Sequence, residues 1–302
     1  MIISSDIKNI TIISVSYKSG IHLRRLFKNL YDKAENKQKL KFLVIDNTNG
    51  ADQELNTLLP RYLNISIVKN DGSYSQRSIS HASGLDVGLK QSRTEYSLII
   101  DPDVHVFKSN WDSLCLSYLD GSKNLVIGAP YPDWKLGKVH DYPSVVFMFF
   151  RTQEIRRLNK SFQPFPAPLK RMKNSLFRKV TRLGFIASKS RLNKSQFLRI
   201  ITTYLEKILG ITSPDTGNDI IEAIRNKEYE SINFEACLVH QLGSFNTNSY
   251  HYNMAREFEL YYQGEDPFMT HMYGSGVFHW KTAKGSDVQY WQELIENIER
   301  GA

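Results

Sequence analysis

Residues 94–103 decide the fold, and they read Thr94-Glu95-Tyr96-Ser97-Leu98-Ile99-Ile100-Asp101-Pro102-Asp103. A continuous apolar run followed by turn residues is typical of a strand that is buried on both faces of a parallel sheet. The proline fixes its own φ and favours an extended Asp101, so both carboxylates are presented beyond the strand end. Such a pair can bind one hard divalent cation, although the same triplet also occurs in ordinary turns.

Three strand-and-helix units precede this stretch. We predict apolar strands at residues 10–15, 42–45 and 65–68, and helices at residues 22–34, 53–59 and 75–91. This alternation predicts an α/β protein with a doubly wound, mostly parallel sheet that is covered on both faces. Right-handed crossovers bring the carboxyl ends of the strands to one edge, where open sheets bind ligands. That edge should carry Ser16, Tyr17, Asp46, Asn47, Asn70, Asp71, Asp101 and Asp103.

The second half of the chain has weaker patterns. We predict strands at residues 125–129, 145–150 and 231–239, and helices at residues 169–183, 220–225, 254–262 and 288–299. No segment repeats at a fixed period, so repeat architectures are not indicated.

Composition excludes several classes of protein. The chain has 302 residues, 41% of them hydrophobic, which suits a globular protein and not a disordered or collagen-like one. Its strongly apolar run at residues 145–150 is far shorter than the roughly 20 residues of a membrane-spanning helix. The N-terminus lacks a secretion-signal pattern, and the two cysteines form neither a disulfide framework nor a metal motif. We therefore expect a cytoplasmic protein.

Positive charge is concentrated in one segment. Residues 151–200 hold 14 Lys and Arg against one acid, whereas the remaining residues sum to −5. Within it, the predicted helix carries one apolar stripe, formed by Leu169, Met172, Leu176, Val180 and Leu183. Three interpretations remain open: a helix packed on the protein body, a helix at residues 169–185 lying on an anionic membrane surface, or a nucleic-acid-binding element. The lipid interpretation is favoured, and nucleic acid is the least supported because no nucleic-acid motif accompanies the charge.

The first half resembles the nucleotide-sugar-binding domain of family-2-type glycosyltransferases with the GT-A fold. The resemblance covers about residues 10–112. Its motifs are Ser14-Val15-Ser16-Tyr17, Val44-Ile45-Asp46-Asn47, Asn70-Asp71-Gly72, the helix at residues 81–89, and residues 94–103. It implies a donor-binding half at residues 1–115 and an acceptor-binding half at residues 116–302, which contains a basic helical insertion at about residues 151–200.

The resemblance also implies roles for single residues. Asp46 would bind the nucleobase in a pocket lined by Ser16 and Tyr17, and Asn70 and Asp71 would belong to the same nucleotide-binding edge. Asp101 would face ribose or metal, and Asp103 would hold Mn²⁺ or Mg²⁺ on the diphosphate. Such a metal stabilises the charge that develops on the departing nucleotide. From the residues alone, Asp46 is equally a turn residue, and Ser16 and Tyr17 are equally packing or capping residues.

The second half offers a general base and a third metal ligand. An inverting transfer needs a base for the acceptor hydroxyl, and Asp215 matches the family position best, with Asp219 as its rival. Asp215 is followed by Thr216 instead of a second acid, and it could also be only a turn or capping residue. His240, after a predicted strand, is the expected third ligand, and His271, His279, His105 and His81 are weaker candidates.

The expected function is metal-dependent, inverting glycosyl transfer. The donor would be a UDP-, dTDP- or similar nucleotide sugar, and the acceptor a hydroxyl of a glycan or lipid-linked glycan in bacterial surface polysaccharide or lipopolysaccharide synthesis. One alternative is a non-catalytic basic membrane- or nucleic-acid-binding module on a transferase-like scaffold. The other is a sugar-phosphate nucleotidyltransferase, which would need a Gly-rich basic loop where this chain has Tyr17-Lys18-Ser19-Gly20.

Overall fold

A computed structural model of the chain describes residues 8–72, 77–163, 168–184, 186–237, 249–272, 281–282 and 285–301. Its strands are β1 (Ile10–Ser16), β2 (Leu40–Asp46), β3 (Ile65–Lys69), β4 (Tyr96–Ile100), β5 (Val104–Val106), β6 (Asn124–Pro130), β7 (Pro143–Arg151), β8 (Glu230–Asn233), β9 (Glu235–Ala236), β10 (Glu259–Gln263), β11 (Asp266–His271), β12 (Lys281–Thr282) and β13 (Gly285–Ser286). Its helices are α1 (Gly20–Lys33), α2 (Leu55–Leu58), α3 (Arg77–Gln91), α4 (Trp111–Leu119), α5 (Thr152–Arg157), α6 (Pro168–Thr181), α7 (Lys189–Lys194), α8 (Gln196–Leu209), α9 (Asn218–Arg225), α10 (Tyr250–Glu257) and α11 (Asp287–Glu299).

Within these ranges, seven strands form a central sheet in the order β3-β2-β1-β4-β7-β6-β8. All of its neighbouring pairs are parallel except those of β7, which runs antiparallel to β4 and β6. Ser16 pairs with Asp46, and Asp46 pairs with Lys69, so three strands end in register at one edge. The predicted α/β fold with a mostly parallel sheet is confirmed. Strands from residues 1–115 and from residues 116–302 pair within this one sheet.

Both faces of the sheet are buried, which explains why its strands are apolar without alternation. Ile12 faces a core with α1 and α4, whereas the next residue, Ile13, faces a core with α3, α5 and α9. Burying an aliphatic side chain of this size stabilises the fold by about 1.5–3 kcal/mol. Gly88 lets α3 lie directly on β1, because a Cβ there would come within 2.4 Å of Ile13 Cγ2.

A second sheet, in the order β5-β11-β10-β9, was not expected. Its pairs are antiparallel, and His271 at the end of β11 pairs with Val104 at the start of β5. The helix predicted at residues 254–262 is wrong for its second half, where residues 259–263 form β10. Tertiary pairing overrides the helical spacing there, since Leu260 and Tyr261 are buried and β10 pairs with both β9 and β11.

The basic segment forms α6, α7 and α8, and α8 packs against both other helices. The predicted basic helix is present as α6, whereas α8 was not foreseen. The apolar side chains Met172, Leu176 and Val180 of α6 are exposed, so the interpretation in which this stripe packs on the protein body is wrong for them. None of the helices in the described ranges combines the length and the apolar character that a bilayer-spanning helix requires.

Candidate metal and donor site

Asp101, Asp103 and His271 converge at the carboxyl end of β4. One ligand atom from each residue lies within 4.8 Å of the others. His271 Nε2 is 3.3 Å from Asp103 Oδ1 and 3.9 Å from Asp101 Oδ2. The chain enters β5 directly after Asp103, and the pairing of β5 with β11 brings His271 beside the two aspartates. Two carboxylates and an imidazole form a ligand set that fits Mn²⁺, and also Mg²⁺ if phosphate or water oxygens complete its shell.

Glu259 lies behind the imidazole and is fully buried. Its Oε2 is 2.9 Å from His271 Nδ1 and accepts a hydrogen bond of 3.0 Å from the Tyr261 hydroxyl, while its Oε1 is 2.7 Å from Lys135 Nζ. A carboxylate that accepts from Nδ1 orients the ring and leaves Nε2 facing the ligand site. This arrangement is typical of histidines that bind metals, and it supports the fit of the three residues to a cation.

The ionisation of the site reflects this crowding of charges. Burial raises the pKa of Asp101, and the nearby charge of Asp103 adds to the rise. Although burial opposes it, the charge of His271 lowers the pKa of Asp103. Burial also disfavours a charged imidazole, yet Asp103 and Glu259 together raise the pKa of His271 to about 10. Three acidic groups thus share a pocket in which positive charge is stabilised.

Arg25 of α1 holds the loop that carries the two aspartates. Its guanidinium donates to the carbonyl of Val104 at 2.6 Å and to that of Pro102 at 3.4 Å. It also lies 4.4 Å from the ring centroid of Trp291, and burial lowers its pKa to about 10. His81 of α3 approaches from the other side, with Nε2 3.4 Å from Asp101 Oδ1. Arg25 thus holds the backbone around the two aspartates, and His81 contacts the carboxylate of Asp101.

Asp215 is held by Tyr131 and Lys138, which lie in the segment between β6 and β7. It forms an ion pair with Lys138 and accepts a 2.9 Å hydrogen bond from the backbone N–H of Thr216. Burial opposes ionisation, but Lys138 outweighs it and lowers the pKa of Asp215. The hydroxyl of Tyr131 bonds to Asp215, and burial, followed by the charges of Asp215 and Asp101, raises the pKa of Tyr131 well above its usual value. The charges of Asp215 and Asp101 thus both act on the Tyr131 hydroxyl, whereas Asp219 is exposed in the first turn of α9.

The residues expected to bind the nucleotide lie at the ends of β1, β2 and β3. Asp46 is buried, and its carboxylate accepts hydrogen bonds from Thr48 N, Thr48 Oγ1 and Gly50 N at 2.9, 2.6 and 2.9 Å. The residue also lines a cleft of about 580 Å³ with Lys69 and residues of α2. With both oxygens engaged, Asp46 organises its own loop, and binding of a base would have to use this preformed loop or displace one of its bonds.

The neighbouring polar residues form a network along this edge. Asn70 Nδ2 donates to Asn47 Oδ1 at 2.8 Å and to Ser83 Oγ at 3.1 Å. The hydroxyl of Ser16 is 3.2 Å from that of Ser19, and Tyr17 is 62% exposed. Asp71 is exposed, and its backbone forms an isolated antiparallel β-bridge with that of Thr48. Among the members of this set, Tyr17 and Asp71 are the exposed ones.

The candidate histidines fall into three groups. His240 and His279 lie outside the described residues, so the expected role of His240 stays a prediction. His105 packs near Glu299 and Asn29, with Nε2 3.1 Å from Glu299 Oε1. His271 and His81, both weaker candidates in the sequence, lie with the aspartates: His271 Nε2 is near both carboxylates, and His81 Nε2 is 3.4 Å from Asp101 Oδ1. Sequence reasoning missed Glu259, Lys135 and Arg25 altogether, because no local pattern marks them.

No protein-family model matches the sequence, and no curated protein matches it either. Among solved structures, the chain is similar to the mannosyltransferase PcManGT from Pyrobaculum calidifontis in complex with GDP-Man and Mn²⁺, with a TM-score of 0.43 and 11% identity over 73% of this chain and 75% of that one. It is also similar to residues 1–349 of S. aureus TarS in complex with UDP-GlcNAc, with a TM-score of 0.39 and 15% identity, covering 51% of this chain and 48% of that one. A third similarity is to the bifunctional glycosyltransferase WbbM, with a TM-score of 0.36 and 13% identity over 51% of this chain and 33% of that one.

The described chain thus spans about three quarters of the mannosyltransferase and about half of the TarS fragment. At such low TM-scores and identities these likenesses concern the general fold, and they do not decide function. The chemistry of this chain has to be argued from its own site.

Proposed function

We propose that this chain is a metal-dependent glycosyltransferase that moves a sugar from a nucleotide-sugar donor to a hydroxyl acceptor. The observation that carries the proposal is the convergence of Asp101, Asp103 and His271 at the carboxyl-terminal edge of a parallel sheet. Open α/β sheets bind small molecules at this edge. Mn²⁺ and Mg²⁺ can be bound by protein carboxylates and by the oxygens of a diphosphate at the same time. Residues 1–115 would bind the donor, and residues 116–302 the acceptor.

The three ligands, in this proposal, hold Mn²⁺ or Mg²⁺ against the donor diphosphate. When bound, the metal supplies positive charge that stabilises the departing nucleoside diphosphate. Glu259 keeps His271 Nε2 directed at the aspartates, and Arg25 keeps their loop in place. Asp46, Ser16, Tyr17, Asn70 and Asp71 form the nucleotide-binding edge. The donor nucleotide would be UDP, dTDP or a similar nucleoside diphosphate.

Asp215 is our candidate for the general base of an inverting reaction. It would take the proton of the acceptor hydroxyl as that oxygen attacks the anomeric carbon from the side opposite the leaving group. Lys138 lowers the pKa of Asp215, so the carboxylate is ionised at neutral pH but is a weaker base while the ion pair is intact. Its contacts with Lys138 and Tyr131 support this choice over Asp219, which is exposed on α9.

The acceptor that best suits the basic segment is a glycan or lipid-linked glycan at the cytoplasmic face of a membrane. This is the setting of bacterial surface polysaccharide and lipopolysaccharide synthesis. Acceptors of that kind lie close to anionic headgroups, which attract Lys and Arg near the bilayer surface.

A melting experiment tests the donor and the metal together. UDP-, GDP- and dTDP-sugars are each added with MnCl₂, with MgCl₂ or with EDTA, and the melting temperature is recorded. A ligand at 100 times its Kd stabilises the folded state by about 2.7 kcal/mol, so one donor should raise the melting temperature, and only with metal. The metal alone should also raise the melting temperature, because His271 and Glu259 are already in place to support its site. This rise should be smaller than that with metal and donor together.

Variants assign the melting shift to the proposed site. Asp101→Asn and Asp103→Asn should each abolish the metal-dependent part of the shift. Asp266→Asn, a matched change at an exposed carboxylate paired with Lys108, should preserve it. If no nucleotide sugar shifts the melt of the unaltered protein with either metal, the proposed function is wrong.

A further inference from the structure

Two neighbouring helices of the basic segment expose large apolar side chains. On α6, Met172 and Leu176 are 72% and 61% exposed. On α8, Phe197 and Tyr204 are 70% and 64% exposed. Together with Val180, Ile200 and Ile208, which are also exposed, these residues make up what we call the α6–α8 surface. Their spacing of three or four residues places each set on one face of its helix, and exposed apolar clusters of this kind mark interaction sites.

The exposed residues are not needed to attach the helices to the protein. α8 is held through other side chains: Leu198 packs on the cluster around Trp134, and Thr202 is buried. Glu206 of α8 accepts a hydrogen bond from Gly137 N, and its Oε1 lies 3.2 Å from His140 Nε2. On α6, the buried Thr181 has its hydroxyl 3.5 Å from that of Thr212. Each helix therefore has one face fixed to the body and a second, apolar face directed to solvent.

Basic side chains accompany the exposed apolar ones on both helices. Lys173, Lys179 and Lys207 are exposed on the same two helices. Arg199 and Lys207 line a groove of about 600 Å³ together with Ile200 and Tyr204. Across residues 151–200, 14 basic residues stand against one acid. An apolar face rimmed by Lys and Arg matches the interface of an anionic bilayer, where acyl chains lie beneath negatively charged headgroups.

We propose that the α6–α8 surface docks on an anionic phospholipid bilayer, with its apolar side chains entering the headgroup region. A second copy of the chain fits less well, because it would bring two strongly basic segments together. Nucleic acid fits less well because its phosphates would meet the cations but leave the apolar side chains in water. The proposal is independent of the catalytic chemistry.

Docking would also place the bilayer beside the acceptor side of the site. Glu206 of α8 is bonded to the loop at residues 137–140, and Lys138 of that loop pairs with Asp215. A lipid-linked acceptor could then reach Asp215 while its lipid remains in the membrane. This consequence rests on the proposed function, whereas the docking itself does not.

Vesicle sedimentation tests the docking without donor or metal, so its outcome is separate from that of the melting experiment. The full chain is mixed with vesicles of phosphatidylcholine, or of phosphatidylcholine and phosphatidylglycerol in equal amounts. We expect sedimentation with the mixed vesicles only, and a loss of binding as salt is raised, because salt screens the attraction. If the protein does not bind the mixed vesicles, the proposal is wrong.

Paired variants separate the α6–α8 surface from general charge effects. Tyr204→Ser should lower the partition coefficient by about tenfold, since a large apolar side chain no longer enters the interface. Tyr62→Ser, at a tyrosine that is 62% exposed outside this surface, should leave it unchanged. Lys173→Glu with Lys207→Glu should abolish binding, whereas Lys41→Glu with Lys123→Glu, which changes the net charge equally, should weaken it only slightly.

Besides a failure to bind the mixed vesicles, three results would overturn the docking proposal. The first is unchanged vesicle binding by both Tyr204→Ser and the double variant Lys173→Glu with Lys207→Glu. The second is an equal loss of binding in the control variants, which would mean that charge acts without a defined surface. The third is a dimer in analytical ultracentrifugation that Tyr204→Ser dissociates, which would assign the surface to a second copy. Melting temperatures of all variants check that they remain folded.

Discussion

Glu259 is a fully buried carboxylate that contacts Lys135, His271 and Tyr261. The positive charges of Lys135 and His271 hold its pKa well below the usual range, although burial opposes this. A buried pair of this kind adds little net stability against an apolar replacement, but loss of one partner leaves an uncompensated charge. Its position behind His271 gives it a further role in directing the imidazole.

We therefore predict that Glu259→Gln destabilises the fold by about 3–5 kcal/mol, because Lys135 remains buried without its counter-charge. Urea denaturation measures this loss. In preparations that remain folded at low temperature, calorimetric titration with Mn²⁺ should show affinity lower by about 10- to 100-fold. Glu235→Gln, at an exposed carboxylate on β9, should change stability by less than about 0.5 kcal/mol.

Substitutions of single residues can also decide whether Asp215 or Asp219 is the general base. Asp215→Asn should lower kcat by about 10²–10⁴ with little change in the donor KM, since the amide cannot accept the acceptor proton. Asp219→Asn should leave kcat within about twofold, because an exposed surface substitution has little effect. Steady-state kinetics with the donor found in the melting experiment decides between them, and the reverse pattern would identify Asp219 as the base.

Among the elements, α11 is fixed to the sheet region by its last turn. Glu299 Oε1 lies 2.9 Å from Lys33 Nζ on α1 and 3.1 Å from His105 Nε2 on β5. Its hydrogen bond with His105 lowers the pKa of Glu299 to about 2, while burial lowers the pKa of His105 to about 4. Both shifts make the folded state less stable in acid, in different pH ranges.

The pH dependence of stability follows from these shifts. Below its ordinary pKa of 6.5, an unfolded His105 takes up a proton that the folded protein resists, so stability falls as pH falls from 6.5 to about 4. The contribution of Glu299 is complete above its ordinary pKa of 4.5 and is lost as pH falls from there to about 2. Glu299→Gln should therefore remove the loss of stability that belongs to Glu299 between pH 4.5 and about 2. Because Glu299 also raises the pKa of His105, its loss should not flatten the range from pH 6.5 to about 4.

Urea unfolding at a series of pH values checks this prediction. Glu296→Gln provides the control, because Glu296 lies on the same helix in an exposed pair with Arg300, and such pairs contribute little. If the slope below pH 4.5 is the same in Glu299→Gln as in the unaltered protein, the coupling of Glu299 to His105 and Lys33 is not what stabilises α11.

At the scale of the whole molecule, the two larger sheets of the described residues meet at the aspartate pair. Strand β4 of the central sheet ends just before Asp101, whereas in the second sheet β5 begins just after Asp103 and β11 ends at His271. The charge is divided as well, because residues 151–200 carry +13 while the rest sums to −5. In the proposed arrangement, the basic segment faces the bilayer, and the acidic pocket that binds cations lies in the remainder.

The sequence alone determined the central sheet and the carboxylates at its edge. Each strand of residues 10–100 is a local apolar run bounded by turn residues, and each helix has its own spacing, so short windows were sufficient to predict them. Asp101 and Asp103 could be placed because their position depends only on the end of β4. The positive charge of residues 151–200 was likewise evident from the sequence, because it follows from the number of basic and acidic residues there.

Only the tertiary structure decided which residues complete the site and which face of α6 meets solvent. His271 and Glu259 reach the aspartates through the pairing of β5, β11 and β10, and hydrogen bonds between distant strands leave no mark in local periodicity. An apolar stripe has the same spacing whether it packs inward or faces solvent. The stripe of α6 remains exposed because α6 is attached through other contacts, with α8 and at Thr181, and these are set by the surrounding fold.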